Sequence, residues 1–197
     1  GMWTKQFLKH MGISIPLHPC HHFYAITEPC NIDTNMPIIR DPDNHIYLKE
    51  WSNGLCFGGF EPNAKICFSD GIPKSIPFHL FDDDWDQFEP LLEASLHRVP
   101  TLHNIPIRKL YNGPESFTPD MSCIVDQVKD NIYVAAGCNS SGIAMAGGIG
   151  KIIAELIEDG NTEWDISNLS LSRFNKKQLT KKYLCENISK SLSNHYK

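Results

Sequence analysis

The chain has no Cys-x-x-Cys pair, no Gly-x-Gly-x-x-Gly run, no Gly-x-x-x-x-Gly-Lys-Ser/Thr loop and no Gly-x-Ser-x-Gly elbow. These absences exclude, in order, a zinc ribbon, a complete dinucleotide fingerprint, a P-loop and the usual serine-hydrolase turn. Its seven cysteines are odd in number and irregular in spacing, so no disulfide framework is signalled and a reducing compartment is the simpler reading. The longest apolar stretch, Ile143 to Ile157, is interrupted by Gly147, Gly148, Gly150 and Lys151 and is too short to span a bilayer. No excess of positive charge exists: 18 Lys+Arg stand against 23 Asp+Glu, which argues against a nucleic-acid partner.

Charge is nevertheless uneven. From Arg173 onward the net charge is +6, against −11 for the remainder. A solvated basic helix is the reading of this tail, over residues 175–197. An apolar fraction of 41% over 197 residues describes an ordinary globular chain with room for one large or two small units.

Periodicity sets the expected elements. Trp3, Phe7, Leu8 and Met11 recur at helical spacing. Residues 13–30 alternate as one long β segment, with Pro16 and Pro19 suggesting an edge or bend. A β-meander is predicted over 36–60, turning at Asp41-Pro42-Asp43-Asn44 and at Ser52-Asn53-Gly54. Residues 61–81 read as loop, with Pro62, Gly71, Pro73 and Pro77. Asp82-Asp83-Asp84 then open a helix carrying Trp85, Phe88, Leu92, Leu96 and Val99, with Pro90 expected to kink or restart it. Strand and loop follow over 105–125. A buried strand Ile132–Ala136 feeds Gly137-Cys138-Asn139-Ser140-Ser141-Gly142 and a Gly-studded helix that Gly160 ends. A last amphipathic helix is predicted over 176–192, with Leu179, Tyr183, Ile188 and Leu192 inward.

The strand–GCNSSG–helix unit is the strongest chemical signal. Such a turn presents bare N–H groups and the positive end of a helix dipole, suited to a group that is or becomes negative. Gly147, Gly148 and Gly150 lower helix propensity by about 1 kcal/mol each. Close approach of the helix to a sheet or a ring would account for them. His18, Cys20 and His22 would share one face of a strand, but Pro19 interrupts it and no fourth ligand is evident, so no metal site is assigned.

Several segments in order carry a family resemblance: IPLHPCHHFYAITEP, IRDPDNHIYLKEW, GGFEPNAK, DWDQFEPLLEASLHRVP, NGPESFTPDMSCI and AAGCNSSGIAMAGGIGK. They resemble the FAD-dependent amine oxidoreductase superfamily. The branch is that of sarcosine and dimethylglycine dehydrogenases and of the regulatory subunits of mitochondrial pyruvate dehydrogenase phosphatase. PESFTPDMSCI looks most like the regulatory subunits.

The resemblance implies an α+β fold: part of a two-domain, D-amino-acid-oxidase-like architecture. Residues 1–12 would end one FAD-domain segment. Residues 13–112 would form a substrate-type antiparallel β domain with a helix near 84–98, and 113–174 a later FAD-binding segment. Gly137, Asn139, Ser140, Ser141, Gly142 and Ile143 would hold FAD non-covalently. The family's Gly-x-Gly-x-x-Gly lies ahead of the matching stretch, so binding through these residues alone would be incomplete and FAD would not be held tightly. Substrate-face candidates are Tyr24, Phe57, Glu61 and Glu115.

The sequence also departs from the family's oxidases. Gly113 stands near the place of their flavin-linking Cys. Ile143-Ala144-Met145 lacks their substrate-anchoring Lys, and Leu55 to Phe60 lacks their oxygen-activating one. The resemblance therefore implies either a regulator partnering the phosphatase catalytic subunit, or a dehydrogenase of a small N-methyl amine, in the mitochondrial matrix.

Overall fold

A computed structural model describes residues 1–76 and 80–196. Pro77, expected in a loop, lies outside the described residues. A short helix α1 (Thr4–Lys9) leads through an extended stretch into strand β1 (His18–Thr27). The meander follows as β2 (Ile39–Asp41), β3 (Ile46–Trp51) and β4 (Gly54–Gly59). Helix α2 (Trp85–Arg98) and a 3-10 turn (Pro100–Asn104) precede the long strand β5 (Ile107–Phe117). The hairpin β6 (Ile124–Lys129) and β7 (Ile132–Ala136) feeds α3 (Gly142–Glu158). Helix α4 (Lys181–Ser191) continues into a 3-10 turn (Leu192–Tyr196).

Five strands form one antiparallel sheet in the order β2-β3-β4-β1-β5. β6 and β7 form a separate two-stranded sheet. The mixture is α+β, as the sequence implied.

Local chemistry explains the elements. The β3–β4 hairpin has Ser52 and Asn53 at positive φ, with Trp51 paired to Gly54. Two consecutive left-handed residues suit the twist of a two-residue hairpin. Gly54 is therefore the first residue of β4, and its reason lies in packing. A Cβ there would sit 2.8 Å from Thr27 Oγ1 and 2.9 Å from the Glu28 carbonyl oxygen. At α2, Asp84 is the N-cap, accepting the Gln87 N–H at 3.2 Å. The helix runs through Pro90, its sixth residue, which forgoes the one bond an N–H there would make to the Asp86 carbonyl.

The main core lies between one face of the sheet and α2. Phe23, Ala25, Leu48, Phe57 and Leu110 meet Phe88 and Leu91 there. Phe88 and Leu91 are fully buried, each stabilising the packing by about 1.5–3 kcal/mol. The inward stripe of α2 is Phe88, Leu91 and Ser95; Leu92 and Leu96 are only partly covered, and Trp85 is exposed. On the opposite face, Leu184, Ile188 and Leu192 pack on Cys20, Phe60 and Phe117. The expected solvated tail thus has a fully buried apolar face. Its helix starts at Lys181, later than expected, behind a Thr180 cap.

Two smaller cores complete the molecule. Leu8, Ile15, Leu17, Ile124, Val134 and Phe174 join α1 to the hairpin. Ile152 and Leu156 of α3 meet Val125 of β6 and Cys123 just before it. The long segment expected over 13–30 is a strand only from His18. β1 is an interior strand, but its β4 ladder spans only Tyr24–Ile26, so Pro19 lies beyond that pairing. All four tryptophans, Trp3, Trp51, Trp85 and Trp164, are exposed. Among the described residues, no helix is long and apolar enough to cross a membrane.

Candidate functional site

The β7–α3 turn is built around a pin. Gly137 adopts φ +66, and a Cβ there would meet Leu17 and Thr118 at 2.7 Å. Only glycine satisfies both the left-handed backbone and that approach. Asn139 and Ser140 follow at positive φ. The Asn139 side chain turns inward: its Oδ1 accepts the Thr118 N–H at 2.9 Å, and its Nδ2 donates to the Gly137 carbonyl at 2.6 Å. Asn139 therefore shapes the turn from inside and presents backbone, rather than an amide group, to the outside.

Ser140 is held from β5. Its N–H donates to Glu115 Oε1 at 2.8 Å, and its hydroxyl donates to Glu115 Oε2. Glu115 stands 3.9 Å from His22 Nε2. Burial lowers the His22 pKa, with Glu115 opposing that shift, and His22 Nδ1 has no hydrogen-bond partner among the described residues. Ser141 is the N-cap of α3 but its side chain makes no cap bond. The first intrahelical bond runs from Met145 to Ser141, so the N–H groups of Gly142, Ile143 and Ala144 lack intrahelical partners. The Ile143 side chain is 98% exposed.

A cleft of about 480 Å³ opens beside this turn, lined by Met2, Trp3, Gly113, Glu115, Gly137 and Cys138 among others. Its walls come from β5, the end of β7 and the residues before α1. Beside the cleft, though not in its lining, the three helix N–H groups and the dipole's positive end suit an anion or a group that gains negative charge. The chain's own Glu115 satisfies Ser140 and leaves those three open.

The three mid-helix glycines of α3 approach nothing among the described residues. A Cβ at Gly147, Gly148 or Gly150 would meet no described atom within 4 Å. Their face of the helix is exposed, in contrast to the expected tight packing within this chain.

The substrate-face candidates scatter. Tyr24 is partly exposed, stacked on Tyr111 at 4.6 Å, in a second cleft of about 260 Å³ with Tyr47, Lys49, Trp51 and Cys56. Phe57 is fully buried against Phe88 on the sheet's other face, because it pairs with Ala25 rather than Tyr24. Glu61 is 2% exposed, and neither carboxylate oxygen has a hydrogen bond among the described residues. Burial pushes its pKa up to about 7, against the nearby Gln87 amide and backbone. Of the four, only Glu115 reaches the turn. His18, Cys20 and His22 lie along one strand face, the one α4 covers, and there His18 Nε2 is 3.9 Å from Cys185 Sγ.

Reading the residues alone missed Thr118, which anchors the turn, and Trp3, which lines the cleft. Thr118 carried a signal in the PESFTPD segment; Trp3 carried none beyond its helical spacing.

The DAO family, described as FAD dependent oxidoreductase, matches residues 1–156, and the chain belongs to it. It is 42% identical over 190 residues to the mitochondrial pyruvate dehydrogenase phosphatase regulatory subunit of Mus musculus, covering 93% of this chain and 22% of that protein. It is 34% identical over 176 residues to the mitochondrial sarcosine dehydrogenase of Mus musculus, covering 88% and 19%. The chain thus spans about a fifth of the length of these curated relatives. Among solved structures, L-proline dehydrogenase from P.horikoshii superposes with a TM-score of 0.72 at 24% identity, covering 91% of this chain and 46% of that one. That likeness concerns the fold alone.

Proposed function

We propose that this chain is part of the FAD-binding module of a pyruvate dehydrogenase phosphatase regulatory subunit in the mitochondrial matrix, whose partner is the phosphatase catalytic subunit. Residues 1–12 and 113–174 form its flavin-side segments, and 13–112 most of the sheet domain that covers them, with β5 running across the 112/113 boundary. Bound flavin supplies a two-electron acceptor whose reduced form carries negative charge at its pyrimidine end. The N–H groups of Gly142, Ile143 and Ala144 hold that end without a covalent link, and Gly137 and Asn139 keep the turn in shape for them. Ser140 is kept back by Glu115, and Ser141 begins the helix.

One observation favours the regulator over an enzyme, beside the 42% relative. The aromatic cleft at Tyr24 carries its own cations. Lys49 lies 5.0 Å from the centre of the Trp51 ring, and Lys109 lies 5.1 Å from that of Tyr111. These rings would otherwise receive an alkylammonium substrate. Two lysines already occupy those two ring faces.

The second reading is a dehydrogenase of sarcosine or dimethylglycine, favoured by the sarcosine dehydrogenase relative and by the partly exposed Tyr24–Tyr111 pair. An anaerobic visible spectrum of the full-length parent protein, titrated with each amine, separates the two. A flavin band that neither amine bleaches supports the regulator. Bleaching by either amine overturns it in favour of the dehydrogenase, and absence of a flavin band overturns the flavin site itself.

A further inference from the structure

A third cleft, basic in its lining, shares Met2 with the cleft beside the β7–α3 turn and opens on other elements. It has a volume of about 580 Å³ and is bounded by α1, the start of β1, the loop 68–72 and the first turn of α4. Its titratable lining is Lys5, Lys9, His10, His18, Lys181 and Asp70. Asp70 is the one acid among them, and it pairs with Lys181 at 2.7 Å. Lys5 and Lys9 make no ion pair among the described residues. They stand at i and i+4 on α1, where like charges repel.

Folding has brought together cations that disfavour one another. Lys5 is largely withdrawn from water, and that burial lowers its pKa, with Lys181 and Lys9 adding to the lowering and Cys185 opposing it. His18 is 3% exposed beneath them, held neutral by burial and by the charges of Lys5 and Lys181. Such a set gains most from an anion carrying more than one charge. Water screens a single charge too well to be displaced. The Gln6 side chain also lines the cleft, and its buried Oε1 has no partner among the described residues. Amide oxygen and nitrogen exchange by a flip, so this position can offer a donor.

We infer that the cleft between α1, the 68–72 loop and α4 binds a small multivalent anion, a phosphoryl or polycarboxylate compound, through Lys5, Lys9 and Lys181. Nothing in this site depends on flavin, so the inference stands apart from the proposed function. The apolar part of the lining, Met2, Phe68 and Ile72, gives room for a carbon skeleton behind the charged groups.

The test is calorimetric titration of the protein with inorganic pyrophosphate and, separately, with citrate, against sodium chloride at matched ionic strength. Saturable binding of either, weakened at least fivefold in Lys5→Gln and in Lys181→Gln and unchanged in Lys190→Gln, supports the site. The responding anion shows which of the two chemistries it takes. Lys5→Gln also checks for a merely structural lysine. Removing a desolvated cation from among like charges should leave the melting temperature unchanged or raised, while the anion-induced rise in melting temperature disappears. Binding of neither anion above the salt control, or equal binding by Lys5→Gln, overturns the inference.

Discussion

Asn139 and Thr118 are 21 residues apart, yet the Thr118 N–H donates to Asn139 Oδ1 at 2.9 Å while Asn139 Nδ2 reaches Thr118 Oγ1 at 3.1 Å. Both residues are buried. This reciprocal contact joins the end of β5 to the turn before α3. Asn139→Ala leaves the Thr118 N–H unsatisfied and keeps a positive φ that alanine disfavours. Its expected cost is about 1–3 kcal/mol, measured by urea denaturation. A cost within about 0.5 kcal/mol of zero would show that the pin is dispensable.

Gly137→Ala should be harsher. It adds both left-handed strain and a methyl group at 2.7 Å from Leu17 and Thr118. The expected loss is at least about 2 kcal/mol, with disturbed flavin affinity. Gly147→Ala meets open space in a helix and should be neutral or stabilising by about 1 kcal/mol. Paired thermal melts of the two variants read the contrast.

Glu115→Gln keeps the shape but removes the charge that faces Ser140 and His22. Glu115 opposes the lowering of the His22 pKa, so the variant should drive that pKa further down. Imidazole nitrogen shifts followed by NMR across pH will report it. An unchanged His22 titration would mean that Glu115 does not sense the ring. The charge-assisted bonds to Ser140 should weaken as well, at about 1 kcal/mol in stability.

Glu61 makes stability depend on pH in an unusual direction for a carboxylate. Its folded pKa, about 7, lies above the reference value of 4.5. Between those values the folded state holds a proton that the unfolded state has lost. Stability therefore falls as pH rises from 4.5 through 7, by about 3 kcal/mol for this group. His18 works the other way: its pKa is lowered to about 4 from 6.5, so stability from it rises as pH climbs through that window. Comparing melting temperatures of the parent and Glu61→Gln between pH 5 and 8 isolates the carboxyl. The variant should gain most at pH 8, and parallel curves would count against the buried charge.

The meander and the α3 boundaries could be read from short-range chemistry. Asn53-Gly54 marked a hairpin, and Asp84 and Gly160 marked helix ends, because capping and turn conformations depend on a few adjacent residues. β5 was harder to read, since Asn112-Gly113-Pro114 resembles a turn. β5 is an edge strand, so a proline can sit in it, opposite His21, without breaking an interior ladder. Phe57 was assigned to the substrate face, and the side of the sheet it occupies depends on register against β1, which no local pattern fixes. The inward turn of Asn139 likewise depends on Thr118, a partner distant in sequence. Gly147, Gly148 and Gly150 suggested a close neighbour, a sheet or a ring, and the described residues supply none.

The four exposed tryptophans govern how this protein can be watched. Hydrated indoles already emit at long wavelength, so unfolding will change the colour of the intrinsic fluorescence very little. Circular dichroism is the better reporter of melting. Trp3 is the useful exception, because it lines the cleft beside Gly137. A flavin seated there would quench its emission by energy transfer, so that one indole can count site occupancy while the other three serve as an internal reference.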